Sequence, residues 1–85
     1  MRFESKRSDV ATKWYDINLM PMPDDDFAVI VSYGFIGDNG EDAVIQPAIC
    51  VFNGRYLDAL EVLNRKVEDR IGLDYIKVEP KQNND

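Results

Sequence analysis

The sequence predicts an α+β domain: a small antiparallel sheet of four or five strands with one α-helix packed across one face. Three observations lead there. Apolar residues recur with period two or in short β-branched runs up to Phe52. The spacing then switches once to the three-and-four pattern of a helix, between Tyr56 and Ile71. Turn residues (Pro23-Asp24-Asp25-Asp26, Asn39-Gly40, Asn53-Gly54) separate the runs. Period two marks a strand with one buried face, and spacings of three and four mark an amphipathic helix. With 85 residues, 45% of them apolar, the chain has room for one core.

The elements follow in order. Arg2 to Arg7 alternates weakly and reads as an edge strand. Thr12 to Met20 alternates clearly: Tyr15, Ile17 and Leu19 share the parity of a buried face, with Trp14, Asp16, Asn18 and Met20 opposite. Pro21 and Pro23 end that strand. Phe27 to Tyr33 is almost continuously apolar and too short for a stable helix, so it reads as a central strand. Asn39-Gly40 is a strong hairpin signal, and Ala43 to Phe52 is the return strand. Pro47 inside it requires a free edge or a bulge. Asn53 is a candidate helix cap. Leu57, Leu60, Leu63, Val67 and Ile71 form the stripe expected to pack on the Tyr15-Ile17-Leu19 face, and Gly72 is the expected residue just past the helix end. Asp74 to Val78 alternates again as a last strand. The domain is expected over residues 1–79, with 80–85 as a disordered tail.

Composition narrows the function. There is no histidine and one cysteine, Cys50. Disulfides within the chain, Cys/His zinc sites and Ser-His-Asp or Cys-His catalytic pairs are excluded, so the expectation is a non-enzymatic binding domain without a cofactor. Cys50, in an apolar strand, is expected to be a buried and inert thiol. Three adjacent aspartates at 24–26 do not converge on one centre and lack EF-hand spacing, so no metal site is expected. The residues Met1 to Arg7 have no apolar segment behind their charges, and no run approaches the ~20 residues of a membrane span. A cytoplasmic location is therefore expected, with no membrane partner.

The net charge of −6 is unevenly distributed. Residues 15–50 hold Asp16, Asp24, Asp25, Asp26, Asp38, Glu41 and Asp42 and no base, a net of −7. Basic residues lie towards the two ends: Lys13 stands beside Trp14, and Lys66 and Arg70, late in the helix, are solvated charges or part of a partner site. Most of the acids suit turns and solvated strand edges. A dock for a basic partner, or a mimic of DNA charge, is the functional alternative.

Three segments carry a resemblance to a known family. They are Arg2-Phe3-Glu4 with Lys13-Trp14-Tyr15-Asp16-Ile17, then Val31 to Gly40 with its Tyr33-Gly34-Phe35 triplet and glycine turn, then Arg70-Ile71-Gly72-Leu73-Asp74-Tyr75-Ile76-Lys77-Val78. In this order, over residues 2–79, they resemble the WGR domain, named for a Trp-Gly-Arg triplet at the end of a strand. The resemblance implies a small antiparallel sheet crossed by one helix and a non-catalytic role. Such domains grip DNA in damage-activated ADP-ribosyl polymerases and also occur in bacterial proteins, including molybdate-regulator-like ones. Tyr33 stands at the family's Trp position and keeps the ability to stack, and Gly34 matches the glycine. Phe35 stands at the arginine position, where it cannot neutralise a phosphate.

The candidate binding residues are therefore Tyr33, Gly34, Phe35, Trp14, Lys13 and Arg70. Trp14 either joins a basic-aromatic patch with Lys6, Arg7 and Lys13 or packs on the second sheet face. Tyr33 and Phe35 either present a contact surface or fill space under the helix and at the turn. Two functions are expected to compete: weak DNA or RNA binding, and an acidic protein-interaction module that docks a protein at the Tyr33-Phe35 turn. The free edge near Pro47 leaves monomer and homodimer open.

Overall fold

The computed structural model of the chain describes residues 1–5 and 11–79. Its elements run β1 (Arg2–Ser5), β2 (Lys13–Pro21), β3 (Phe27–Ile36), β4 (Asp42–Gly54), α1 (Tyr56–Gly72) and β5 (Tyr75–Val78). The strands form one five-stranded sheet in the order β4-β3-β2-β1-β5, with every neighbouring pair antiparallel. The fold is the expected α+β arrangement, and no described helix is long and apolar enough to cross a membrane. Lys6, Arg7 and the tail 80–85 lie outside the described residues.

The sheet is built outward from the β2-β3 hairpin. Tyr15 pairs with Tyr33, Ile17 with Val31 and Leu19 with Val29, so the apolar parity of β2 meets that of β3 on one face. Phe3 of β1 joins them, opposite Tyr15. Helix α1 covers this face, and the core is Phe3, Tyr15, Ile17, Val29, Val31, Ala59 and Leu63. Burying three β-branched residues and two aromatic rings against a helix is the main favourable term in so small a domain.

Two turns show why particular residues stand where they do. At the Asn39-Gly40 turn, the Gly40 N–H donates to the Gly37 carbonyl at 2.9 Å, and the Gly37 N–H donates to the Glu41 carbonyl at 2.8 Å. Gly40 has φ +81°, in the left-handed region a side chain disfavours. Asn39 Oδ1 accepts the Glu41 N–H at 3.1 Å and braces the loop. In the other turn, Asp24 and Asp25 hold φ of 65° and 61°, a conformation aspartate tolerates better than most residues.

Several expectations are corrected. β1 is an interior strand, held between β2 and β5, so the free edges are β4 and β5. The middle of the expected helix stripe packs on the sheet, with Leu63 buried and Val67 against the core, but its ends do not: Leu57 is 74% exposed and Ile71 is exposed, while Ala59 is buried and Tyr56 packs edge-on against Phe27 at 5.0 Å. Arg55, not Asn53, precedes the helix, and no side chain caps it. Gly72 is still helical; the left-handed residue past the end is Asp74, φ 66°. Cys50 is exposed because β4 is an edge, with its thiol on the Phe52 carbonyl at 3.2 Å.

β4 needs thirteen residues to follow the ten of β3. The pairing shifts between Val29 and Ile30, between Val31 and Tyr33, and between Tyr33 and Gly34. The middle shift falls beside Pro47, so the proline sits on both a free edge and a bulge.

Candidate functional site

Alternation along β2 and β3 divides the candidate residues between the two sheet faces. Lys13 pairs with Phe35 and Tyr15 with Tyr33, all on the helix side. Trp14 pairs with Gly34 on the other side. The C-terminal half of α1 brings Arg70 over the rings of Tyr15 and Tyr75. The result is a cleft of about 380 Å³, lined by Lys13, Trp14, Tyr15, Tyr33, Gly34, Ile45, Arg70 and Tyr75. Five of the six candidate residues meet there. Phe35 lies one pair further out, 38% exposed, at the rim.

Arg70 organises the cleft. Its guanidinium carbon lies 4.5 Å from the centre of the Tyr15 ring and 5.4 Å from that of Tyr75. A guanidinium over ring faces is held by the ring quadrupole. Its Nε is buried without a hydrogen-bond partner, and among the described residues no carboxylate pairs with it. An anion entering the cleft therefore meets a positive charge fixed in place by aromatic faces. Burial pushes the Tyr15 phenol above its ordinary pKa of 10.0, while the Arg70 charge pulls the other way.

Tyr33 supplies the open surface. It stacks on Tyr15 with ring centres 6.3 Å apart and planes 13° from parallel, and it remains 40% exposed. One side of the pair is thus braced by the core and the other meets solvent. Stacked and braced, Tyr33 loses little freedom when a second planar group lies on it.

Trp14 is a packing residue of the second sheet face. It is 6% exposed, and its indole N–H donates to the Phe35 carbonyl at 3.2 Å. The ring crosses Gly34. A Cβ at that glycine would stand 1.9 Å from the Ala43 carbonyl oxygen and 2.9 Å from the Trp14 ring. Glycine is required at position 34 for that close approach. Arg2 covers Trp14 from outside, 5.2 Å above its ring centre. The Arg2 guanidinium donates twice to Asp42, at 2.7 and 3.0 Å, and once to Glu4 at 3.1 Å. This clamp runs from β1 across the indole to β4. The hydrogen bond from Arg2 holds the Asp42 carboxyl below its ordinary pKa.

Sequence reasoning missed Arg2 and Asp42 as a unit, and it counted Asp42 among the free acids of the turn. It also took Tyr15 as core alone and passed over Tyr75 and Ile45. The signal for Tyr75 was present: an aromatic five residues after a helix-end arginine, at the start of a strand. Among the described residues no group of three or more acidic or cysteine side chains is arranged to hold a metal ion. No family model, curated protein or solved structure matches the chain.

Proposed function

We propose that the chain is a non-catalytic binding module of WGR-like type that takes nucleic acid weakly at the Lys13-Tyr33-Arg70 cleft. One observation carries this reading: two cations and an exposed, braced aromatic face converge in one place on a molecule of net charge −6. A base stacks on Tyr33 while its phosphates meet Arg70 and Lys13. Stacking on an aromatic face contributes roughly 1–3 kcal/mol per base, whatever the base. Trp14 acts from behind, by fixing Gly34 and the end of β3. An unpaired strand or a duplex end suits the site better than the side of a duplex, since only there is a base face open.

The test is fluorescence anisotropy with labelled single-stranded DNA, RNA and blunt duplex, at about 20 and about 200 mM salt. Two phosphate contacts give a logarithmic salt slope of roughly −1.4 for single strands, so affinity is expected to fall about 25-fold over that range. Lys13→Ala with Arg70→Ala is expected to remove most of the slope. Tyr33→Ala is expected to weaken binding about tenfold at either salt. Unchanged affinity in the Lys13→Ala, Arg70→Ala double variant sinks the proposal.

A second reading has its own observation. Phe35, exposed at the rim, stands close to the exposed acids Asp38 and Glu41 of the β3-β4 turn. That surface fits a basic, partly apolar protein segment. It predicts no nucleic-acid binding at either salt, and capture of a basic partner that is lost in Phe35→Ala.

A further inference from the structure

The outer edge of β4 offers a different kind of surface. β4 ends the sheet, so among the described residues the backbone N–H and C=O groups along one side of Asp42–Gly54 have no strand beside them. Such an edge is a template for another strand, and proteins normally blunt it with charge, brevity or a covering element. The other edge, β5, follows that rule: it is four residues long and carries Lys77. β4 does not. From Ala43 to Gly54 it holds no charged residue, and Val44, Ile45, Ile49 and Val51 are all exposed.

The ends of β4 indicate the occupant. Glu41 and Asp42 stand at its start, and Arg55 follows its last residue. Asp42 is occupied by Arg2, which leaves the exposed Glu41 carboxylate. An antiparallel strand of the same sequence brings its own Arg55 to Glu41 and its own Glu41 to Arg55. A parallel copy would set acid against acid. The strand between is neutral, so the net charge of −6 on each chain does not meet itself at the contact.

We propose that a second copy of this chain pairs antiparallel along β4, about a two-fold axis near Ala48. Residues 43–46 of each chain then face residues 50–53 of the other, and the two five-stranded sheets become one. Pro47, which has no N–H, lies next to the axis, where the ladder is interrupted, and divides the pairing into two equivalent short ladders. The exposed aliphatic side chains of β4 are covered, and each interface is closed at both ends by a Glu41–Arg55 pair. This is the self-complementary geometry of a two-fold interface. It does not depend on what the cleft binds.

Sedimentation equilibrium of the full chain, from micromolar to millimolar concentration, tests it. The expected result is a concentration-dependent rise from 9.8 kDa towards twice that mass. Ile49→Lys and Val51→Lys, each at an exposed position and so compatible with folding, are expected to abolish association. Glu41→Arg alone and Arg55→Glu alone are each expected to weaken it about tenfold, since each turns two opposite-charge contacts into like-charge ones. The double variant Glu41→Arg, Arg55→Glu is expected to restore the parent value. A parent chain that stays at 9.8 kDa throughout overturns the proposal. So does a dimer that either lysine leaves intact, or one in which the two charge changes add instead of compensating.

Discussion

β3 and β4 lie side by side and read alike in sequence, each an apolar strand rich in valine and isoleucine. Val29 and Val31 of β3 are buried, while Ile45, Ile49 and Val51 of β4 are exposed. β3 has a strand on each side and α1 above it; β4 has one neighbour, and its three register shifts break the alternation that would turn a single face inward. Apolar character brings a residue into a strand, and the number of neighbours decides whether the residue is buried. The same lesson holds within α1, where Leu57 is exposed and the smaller Ala59 is fully buried.

The sharpest way to break that comparison is to truncate matched side chains in the two regions. Ile17, fully buried opposite Val31, is expected to cost about 3–4 kcal/mol as Ile17→Ala, from lost transfer energy and a cavity the rigid sheet cannot close. Ile49→Ala on β4 is expected to stay within about 0.5 kcal/mol in the monomer. Urea denaturation of both variants at low protein concentration gives the two numbers. Comparable losses would mean that β4 is as much core as β3.

A smaller effect is expected at the seam between the regions. Gly34 lets β3 approach Ala43 of β4 and leaves room for the Trp14 ring against it. Gly34→Ala forces either the Ala43 carbonyl or the indole to move, at about 2 kcal/mol. Trp14 is the only tryptophan, so its emission reports the displacement directly. A red shift with loss of stability is the expected outcome. An unchanged spectrum would show that the carbonyl of β4 gives way instead, and that this seam is softer than the core.

The fold was legible because its signals are local. The alternation at Tyr15, Ile17 and Leu19, the β-branched run at residues 29–31 and the Asn39-Gly40 turn each lie within a few residues. What escaped depends on which strands become neighbours. Cys50 read as buried because nothing in its own strand says that β4 ends the sheet. Arg2 and Asp42 are forty residues apart and meet only because β1 and β4 both present side chains to the second face. Counting leucines passes over Ala59, which is small and carries, with Leu63, the buried line that Leu57 does not. At the cleft, Lys13, Tyr33 and Arg70 were named from a resemblance and from charge beside aromatics. Their convergence rests on the helix length, which brings Arg70 back over β2.

Among the described residues, the Arg2–Asp42 clamp is the one polar connection that spans the sheet from β1 to β4, and it gives the smallest and most specific prediction. The Asp42 pKa is lowered in the folded chain, chiefly by the hydrogen bond from Arg2, from an ordinary value of 3.8. The unfolded chain therefore binds a proton at Asp42 before the folded chain does. The contribution is fully present above the unfolded value and is lost as pH falls through the folded one. Because the carboxylate is 43% exposed, water screens the pair, and its worth is held to under about 1 kcal/mol. Asp42→Asn is expected to lower stability by that amount at pH 7 and by almost nothing at pH 2, so that parent and variant converge in acid. High salt is expected to narrow the gap at pH 7 in the same way. The measurement is urea unfolding of both chains between pH 2 and pH 7. A gap that persists at pH 2 would mean that Asp42 supports β4 through packing rather than charge, and the contrast between the two strands would then lie in the backbone alone.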